Sequence, residues 1–326
     1  CEVGGVNRSA ATDFETNAFQ INTLRRRPPR STMGNMASQT VNQVAFCPPP
    51  PTYRKRDVNM WLNTDRGDRV PAFHIRNGNP ITILVSHANA EDLGIVLGFW
   101  SWLSQILQVD VFAYEYCGYG WATGAPSEES MYSAARAALA CLVDGFKLKP
   151  ERDIVLFGKS LGSCPSCHLA AKQKFRGVVI VSGLASGARV LFPTTKLYVT
   201  DALYFHNIGR LATSKSPVQL MHGTMDEVIA FSNGTDLHAA CAAYHPLPPA
   251  WIDGATHNNL ESAHSEAYLR TFKAFLAHLL ANPPADEPEN PDGDGWWSGL
   301  KSWTSSLGSR SCLPSVPVPV VASASG

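Results

Sequence analysis

The sequence predicts an α/β domain built on a mostly parallel, doubly wound sheet. Short apolar runs rich in branched and aromatic residues alternate with longer helical patterns through most of the chain. Residues 154–157, for example, have no polar position, which is typical of a strand covered on both faces. The 326 residues are 44% hydrophobic and 17% charged, which suits one domain of this class with tails.

Composition excludes some classes of partner and membrane topology. Lys plus Arg and Asp plus Glu number 27 each, so the net charge gives no reason to expect a nucleic acid partner. No apolar signal segment opens the chain, and no apolar run is long enough for a transmembrane helix. We therefore expect the eight cysteines to lie in a reducing compartment rather than in disulfides.

An antiparallel hairpin is predicted at the start of the domain. Residues 58–63 and 70–75 alternate polar and apolar side chains, and Arg66-Gly67-Asp68 lies between them at the turn. Antiparallel edge strands commonly open an otherwise parallel sheet, so the hairpin fits the predicted fold.

Strands and helices then alternate along the chain, which favours helices on both faces of the sheet. Buried strands are predicted over residues 81–85, 109–114, 154–157, 176–181, 217–221 and 249–252, and helices over 93–107, 130–146, 164–174, 231–243 and 261–280. An insertion over residues 187–216 is rich in aromatic residues, namely Phe192, Tyr198, Tyr204 and Phe205. Two interpretations stay open for it: a short apolar cap suited to a fatty chain, or packing over the sheet edge.

The turn after residues 154–157 predicts a nucleophile elbow. Gly158-Lys159-Ser160-Leu161-Gly162 has the pattern G-x-S-x-G between a predicted strand and a predicted helix. The glycines allow a sharp turn, which leaves Ser160 strained and exposed at the carboxyl end of the strand. Such pentapeptides also occur as ordinary strand-to-helix turns, so the interpretation as an elbow depends on finding catalytic partners elsewhere in the sequence.

An acid and a histidine follow the elbow in the order that catalysis requires. Asp226 lies on the loop after strand 217–221, and His257 lies on the loop after strand 249–252. The order Ser, Asp, His at strand ends is that of the α/β-hydrolase fold, with Ser160 as nucleophile, Asp226 as acid and His257 as base. No carboxylate closely follows strand 176–181, which removes the alternative acid position.

Backbone amides are expected to stabilise the oxyanion of such a hydrolase. One is the amide of Leu161, and the second comes from the loop after strand 81–85, with Asn89 preferred and Ala88 or Ala90 as alternatives. His87 lies in the same loop, but it precedes the elbow. We therefore expect it to shape the loop through hydrogen bonds rather than to act as the base.

A C-x-x-C-H pattern spans Cys164 to His168, as in haem attachment or half of a zinc site. It lies in the helix behind the elbow, which must pack on the sheet, and no second C-x-x-C supplies further ligands. We interpret it as core packing, and the predicted chemistry needs no metal or cofactor.

Three regions are predicted along the chain: a polar and proline-rich segment over residues 1–56, the hydrolase domain over 57–281 and a disordered tail over 282–326.

If Met33 initiates translation, M-G-N-M-A-S is a myristoylation signal with Gly34 as the acceptor. One myristoyl chain holds a protein only marginally, and Cys47 is a candidate for a second lipid. The proline run after Cys47 is either a rigid entry arm or a ligand for an SH3-type domain.

Several motifs together resemble the α/β-hydrolase-domain-17 depalmitoylases over roughly residues 37 to 280. They are A-F-C-P-P-P-P-T-Y (45–53), S-H-A-N-A (86–90), Y-E-Y-C-G-Y-G (114–120), the elbow, S-G-A-R (186–189), H-G-T-M-D-E-V-I (222–229) and G-A-T-H-N (254–258). The resemblance implies a serine hydrolase, anchored at the cytoplasmic face of the plasma or an endosomal membrane, that removes palmitate from the cysteines of membrane-associated proteins. It places Ser160, Asp226 and His257 in the catalytic roles.

This chain departs from the family pattern in two places. Ala88 stands where the family usually has glycine, which can shift the oxyanion donor. The amino-terminal cysteine cluster that the family uses for anchoring is missing, and Gly34 would take over that task. An esterase or lysophospholipase with the same triad, and a non-catalytic binding protein on the same fold, stay open as alternatives.

Overall fold

An eight-stranded sheet forms the centre of the computed structural model, which describes residues 45–58, 60–192, 204–241 and 247–284. The strand order is β1-β2-β4-β3-β5-β6-β7-β8. β1 and β2 pair antiparallel with each other, β2 pairs antiparallel with β4, and the remaining neighbours are parallel. This arrangement confirms the predicted fold class.

The strands are β1 (Met60–Asn63), β2 (Arg69–Ile75), β3 (Thr82–Ser86), β4 (Asp110–Tyr114), β5 (Ile154–Lys159), β6 (Gly177–Val181), β7 (Val218–Gly223) and β8 (Ala250–Ile252). The α-helices are α1 (Leu93–Leu107), α2 (Glu128–Ala140), α3 (Pro150–Asp153), α4 (Ser163–Ala170), α5 (Gly187–Leu191), α6 (Asn207–Ala212), α7 (Ser232–Ala240) and α8 (Ser265–Ala281). Single 3₁₀ turns lie at Lys55–Asp57 and Ser160–Gly162, and a π turn at Cys141–Gly145 continues α2.

Two core layers cover the two faces of the sheet. In β5, Val155 and Phe157 belong to the layer that contains α1 and α8, whereas Ile154 and Leu156 belong to the layer with α2, α4 and α7. This alternation follows from the two-residue repeat of a strand. It explains why the sequence of β5 has no polar position before the elbow.

Helix α1 begins and ends where the sequence predicts. The side chain of Asp92 caps it by accepting a hydrogen bond from the amide of Ile95 at 3.0 Å, and Gln108 ends it in the left-handed conformation. Helix α2 begins before the predicted residue 130, because Ser127 and Ser130 form a reciprocal capping box. The usual box has Glu or Gln at the third position, so the serine pair gives a weak sequence signal.

Other helices are also shorter than predicted, as with the one predicted over residues 231–243, which is α7 (Ser232–Ala240). The helix behind the elbow ends at Ala170 rather than at residue 174, and the last helix begins at Ser265 after a series of turns rather than at residue 261. The insertion contributes α5 and α6. Its Phe205 is buried, Phe192 is 65% exposed, and Tyr198 lies outside the described residues.

The described end of the proline-rich segment packs against the domain. Phe46 is buried and its ring meets that of Phe205 edge to face at 5.9 Å. The predictions for Met33 and Gly34, and those for the tail from residue 285 onward, concern residues that the structure does not describe. Within the described ranges, no helix combines the length and apolar character needed to cross a membrane.

Candidate active site

Ser160 occupies a strained turn at the carboxyl end of β5. Its φ of 52° lies in the left-handed region, which a residue with a Cβ rarely adopts. Neither glycine of the pentapeptide has a positive φ. A Cβ at Gly158 would overlap the carbonyl of Gly162, and one at Gly162 would overlap the carbonyl of Ser86. The glycines therefore provide space, and the serine itself carries the backbone strain.

The three predicted catalytic side chains lie next to one another. His257 Nε2 is 3.0 Å from Ser160 Oγ, and His257 Nδ1 is 2.9 Å from Asp226 Oδ2. Because a carboxylate only accepts hydrogen bonds, Nδ1 donates to Asp226, and Nε2 is free to accept the hydroxyl proton of Ser160. The three residues are 6 to 8% exposed, so this series of hydrogen-bonded side chains is nearly buried but still reaches the protein surface.

Asp226 is held by several donors. The backbone amides of Val228 and Ile229 donate to Oδ1 at 3.0 and 2.7 Å, and His222 Nε2 lies 3.3 Å from Oδ2. Burial by itself would raise the pKa of Asp226. The hydrogen bonds from His222, His257 and the Ile229 amide, with the charge interaction with His257, together outweigh burial, so the pKa of this carboxyl lies below its ordinary value. His222 was not singled out from the sequence as a site residue; its only signal is its place in the H-G-T-M-D motif.

The loop between β3 and α1, residues 87–92, packs directly against the elbow at Gly162. His87 Nδ1 donates to the carbonyl of Ala88 at 2.9 Å, and Nε2 lies 3.4 Å from Glu115 Oε2. Burial lowers the pKa of His87, but the Glu115 carboxylate, the carbonyl of Ala88 and the charge of Glu91 together raise it by more, so the net shift is upward. His87 therefore shapes this loop, since its ring nitrogens face the carbonyl of Ala88 and the carboxylate of Glu115.

The Asn89 side chain ties the loop to the amino-terminal arm, residues 45–53. Its Oδ1 accepts from the amide of Cys47 at 2.9 Å and from Tyr119 Oη at 2.5 Å, and its Nδ2 donates to the carbonyl of Ala45 at 3.0 Å. The amide of Ala88 donates to Glu91 Oε2 at 2.9 Å, so it already has a partner. The oxyanion roles of the Leu161 and Asn89 amides stay predictions.

A cluster of charged side chains beside the elbow is not predicted by any motif in the sequence. Lys159 Nζ lies 2.9 Å from Glu261 Oε1 and 3.8 Å from Glu91 Oε1. Burial lowers the pKa of Lys159, but the two carboxylates outweigh it and raise the pKa. Because Lys159 precedes Ser160, the cluster connects the elbow, the β3–α1 loop and the loop after His257. It also lines a cavity of about 130 Å³.

The C-x-x-C-H segment lies in helix α4. Cys164 and Cys167 are fully buried, and burial raises the pKa of the Cys164 thiol to about 12. The ring of His168 stacks on Tyr132 at 4.2 Å. Among the described residues, no group of three or more His, Cys, Asp or Glu side chains is arranged to hold a metal ion.

The chain is similar in sequence to proteins named alpha/beta hydrolase domain-containing protein 17. The chain is 35% identical over 271 residues to alpha/beta hydrolase domain-containing protein 17B of Xenopus laevis, and 34% identical over 271 residues to the human 17B protein. Each match covers 74% of this chain and 92% of the relative. The human 17C protein is 37% identical over 237 residues, covering 71% of this chain and 70% of the relative. No family model matches the sequence.

Solved structures support the same fold at lower identity. An esterase of Pyrococcus furiosus superposes with a TM-score of 0.56 at 17% identity, over 71% of this chain and 99% of that one. A puromycin-hydrolyzing peptidase of Mycobacterium tuberculosis gives a TM-score of 0.52 at 17% identity, over 70% and 39% of the two chains. Fold and sequence relatives agree, and the chain therefore belongs to the alpha/beta hydrolase domain-containing protein 17 family of hydrolases.

Proposed function

We propose that this hydrolase removes palmitate from S-acylated cysteines of membrane-associated proteins, with Ser160 as its nucleophile. The observation that carries the proposal is the continuous hydrogen-bonded chain from Ser160 through His257 to Asp226, at a left-handed serine on the carboxyl edge of the sheet. The motif resemblance to depalmitoylases over most of the domain supports a thioester substrate. The activity is that of a palmitoyl-protein thioesterase.

Acylation begins when Ser160 Oγ attacks the thioester carbon. His257 Nε2 takes the hydroxyl proton as the Oγ–C bond forms, and Asp226 stabilises the resulting imidazolium. The backbone amides of Leu161 and Asn89 donate to the oxyanion of the tetrahedral intermediate. The intermediate collapses with cleavage of the C–S bond, and His257 returns the proton to the departing cysteine sulfur.

Deacylation repeats these steps with water. His257 removes a proton from the water as its oxygen attacks the acyl carbon of palmitoyl-Ser160. The second intermediate breaks the bond to Oγ, Ser160 regains its proton, and palmitate leaves. Since Asp226 stays ionised at neutral pH, its charge is available in both steps.

The proposal places the enzyme at a membrane surface, where its substrates carry their acyl chains. A lipid on Gly34 is the anchor that the sequence offers, since a myristoyl chain would tether the domain close to S-palmitoylated proteins. Labelling with a myristate analogue, followed by mapping of the modified residue, tests that part separately.

The direct test uses a palmitoyl-cysteine peptide, the matching palmitoyl-serine oxygen ester and a lysophospholipid with the purified full chain. We expect thioester cleavage that is fastest among the three and that disappears in Ser160→Ala. Cleavage of only the oxygen ester or the lysolipid would overturn the thioesterase assignment while preserving the triad. Absence of all three activities, with no labelling of Ser160 by a fluorophosphonate, would favour a non-catalytic binding protein.

A further inference from the structure

One flank of helix α1 exposes large apolar side chains, and the helix carries no charge. None of the 15 residues of the helix is Asp, Glu, Lys or Arg. Ile95 and Trp102 are each 46% exposed, and Ile106 is 39% exposed. We call these three residues the α1 face. Large exposed apolar side chains that are grouped on one side of a surface helix, rather than scattered singly, often mark an interaction site.

The α1 face is distinct from the side of the helix that builds the core. Leu93, Val96, Trp100, Leu103 and Leu107 are the buried apolar residues of the helix. Ile95, Trp102 and Ile106 are spaced by seven and four residues, which aligns them along one flank of the helix. The α1 face therefore takes no part in the packing of the helix against the core.

Basic residues lie at the amino end of α1. The side chain of Thr52 contacts the capping residue Asp92, which brings the arm to the first turn of the helix. Arg54, Lys55 and Arg56 follow and are exposed. Lys55 Nζ lies 6.0 Å from the ring of Trp121, which is 38% exposed and whose Nε1 donates to the carbonyl of Tyr53 at 2.8 Å. We call residues 54–56 with Trp121 the basic flank.

We propose that the α1 face and the basic flank together dock the domain on an anionic lipid bilayer. An uncharged apolar helix side with a tryptophan, next to a basic cluster, has the chemistry of interfacial helices: apolar side chains enter the acyl boundary while cations meet anionic headgroups. A helix of 15 residues is too short to cross a bilayer, so it lies along the surface.

Docking through this surface orients the catalytic edge toward the lipid. The β3–α1 loop that packs on the elbow leads directly into the first turn of α1, so the end of α1 that carries the basic flank is also the end beside Ser160. The inference goes beyond the proposed reaction and does not depend on which ester the triad cleaves.

The test is vesicle flotation of the full chain produced without lipidation. Vesicles contain phosphatidylcholine alone or with about 30% phosphatidylserine. We expect binding to the anionic vesicles, a drop of about tenfold in the partition coefficient for Trp102→Ser with Ile106→Ser, and no change for Leu280→Ser. Leu280 is a matched control, because it is 53% exposed and lies on α8. Lys55→Glu with Arg56→Glu should weaken binding to anionic vesicles only.

Controls separate docking from folding and catalysis. The thermal midpoint and the hydrolysis of a soluble short-chain ester should be unchanged in the α1 variant. Failure of the wild type to bind either vesicle, or equal binding by the α1 variant, would overturn the proposal. So would a dimer that the α1 variant abolishes, or vesicle binding that appears only after removal of residues 285–326, since these results would assign the face to a second copy or to the tail.

Discussion

Ser160 combines backbone strain with a reactive side chain. A left-handed φ costs a residue with a Cβ about 1 kcal/mol or more, and the contact of Gly162 with the β3–α1 loop holds the turn in place. The strain directs Oγ toward His257 Nε2, 3.0 Å away. A serine in an ordinary turn would have no histidine base beside its hydroxyl, so the local geometry supports a catalytic role for Ser160.

Asp226 has a role that a substitution can isolate. In Asp226→Asn the side chain keeps its size but loses its charge, and its amide can donate to Nδ1 and so favour the wrong tautomer of His257. We expect kcat to fall by roughly three to four orders of magnitude with little change in folding. Asp253→Asn, on the loop before His257, is the matched control and should keep full activity. Equal activity in Asp226→Asn and the wild type would contradict the proposed triad.

His74 should make stability depend on pH in mildly acidic solution. Burial, with Arg76 nearby, lowers its pKa from 6.5 to about 4, and its ring lies between Phe112 and Phe146. At pH values between these two pKa values, His74 binds a proton in the unfolded chain but not in the folded chain. The free energy of unfolding therefore falls as pH drops, by about 1.4 kcal/mol per pH unit from this group.

His74→Phe should remove that contribution while keeping the aromatic contacts. Urea unfolding at about pH 7 and about pH 5 measures it, and the wild type should lose about 2 kcal/mol more than the variant. Burial also lowers the pKa of His168, to about 3, so both proteins will retain some slope. If both lose the same free energy, His74 is not neutral in the folded protein.

At the scale of elements, the elbow depends on its contact with the β3–α1 loop. In Gly162→Ala the new Cβ would overlap the carbonyl of Ser86, so backbone has to move. We expect a loss of about 1–3 kcal/mol in stability and slower fluorophosphonate labelling of Ser160. Gly98→Ala is the control: a Cβ there meets nothing within 4 Å, and alanine should stabilise α1 by about 0.5–1 kcal/mol. Destabilisation by both variants alike would argue against the close contact.

Local signals explain which features the sequence predicts. Helix α1 has a capping aspartate at its start, and the elbow has a strand, a turn and a helix in consecutive residues, so both can be recognised without tertiary contacts. Ser160, Asp226 and His257 were identifiable because each follows its own strand. Parallel strands bring their carboxyl ends to one edge of the sheet, which is where the structure joins the three side chains.

Contacts between distant residues explain what the sequence does not predict. Lys159 meets Glu91 and Glu261, and Asn89 meets Cys47 across 42 positions, only because the sheet brings their loops together. No spacing rule connects such pairs. Helix boundaries also differ where capping uses an uncommon residue, as with Ser130 in α2.

For the whole molecule, the amino-terminal arm is part of the structure around the active site. Its Cys47 and Ala45 bond the Asn89 side chain, and Phe46 inserts among core residues. The segment that leads to the predicted lipid anchor thus contacts the loop proposed to hold the oxyanion.

Phe46→Ala should weaken both the fold and this loop. We expect a loss of about 3 kcal/mol in the free energy of unfolding, because a buried aromatic ring is removed beside Phe205. Hydrogen exchange at residues 87–92 should increase, since the arm carries the partners of Asn89. Arg54→Ala changes an exposed side chain and should alter stability by less than about 0.5 kcal/mol. Unchanged exchange in Phe46→Ala would contradict a link between the arm and the loop.

The most direct test of the central claim is to identify the acylated residue during turnover. The full chain is mixed with a palmitoyl-cysteine peptide, quenched in acid and mapped by mass spectrometry. The account predicts a palmitoyl group on Ser160 in the quenched wild type, much less of it in His257→Gln because acylation lacks its base, and none in Ser160→Ala. Thioester turnover with no acyl group on Ser160, or turnover that persists in Ser160→Ala, would contradict it.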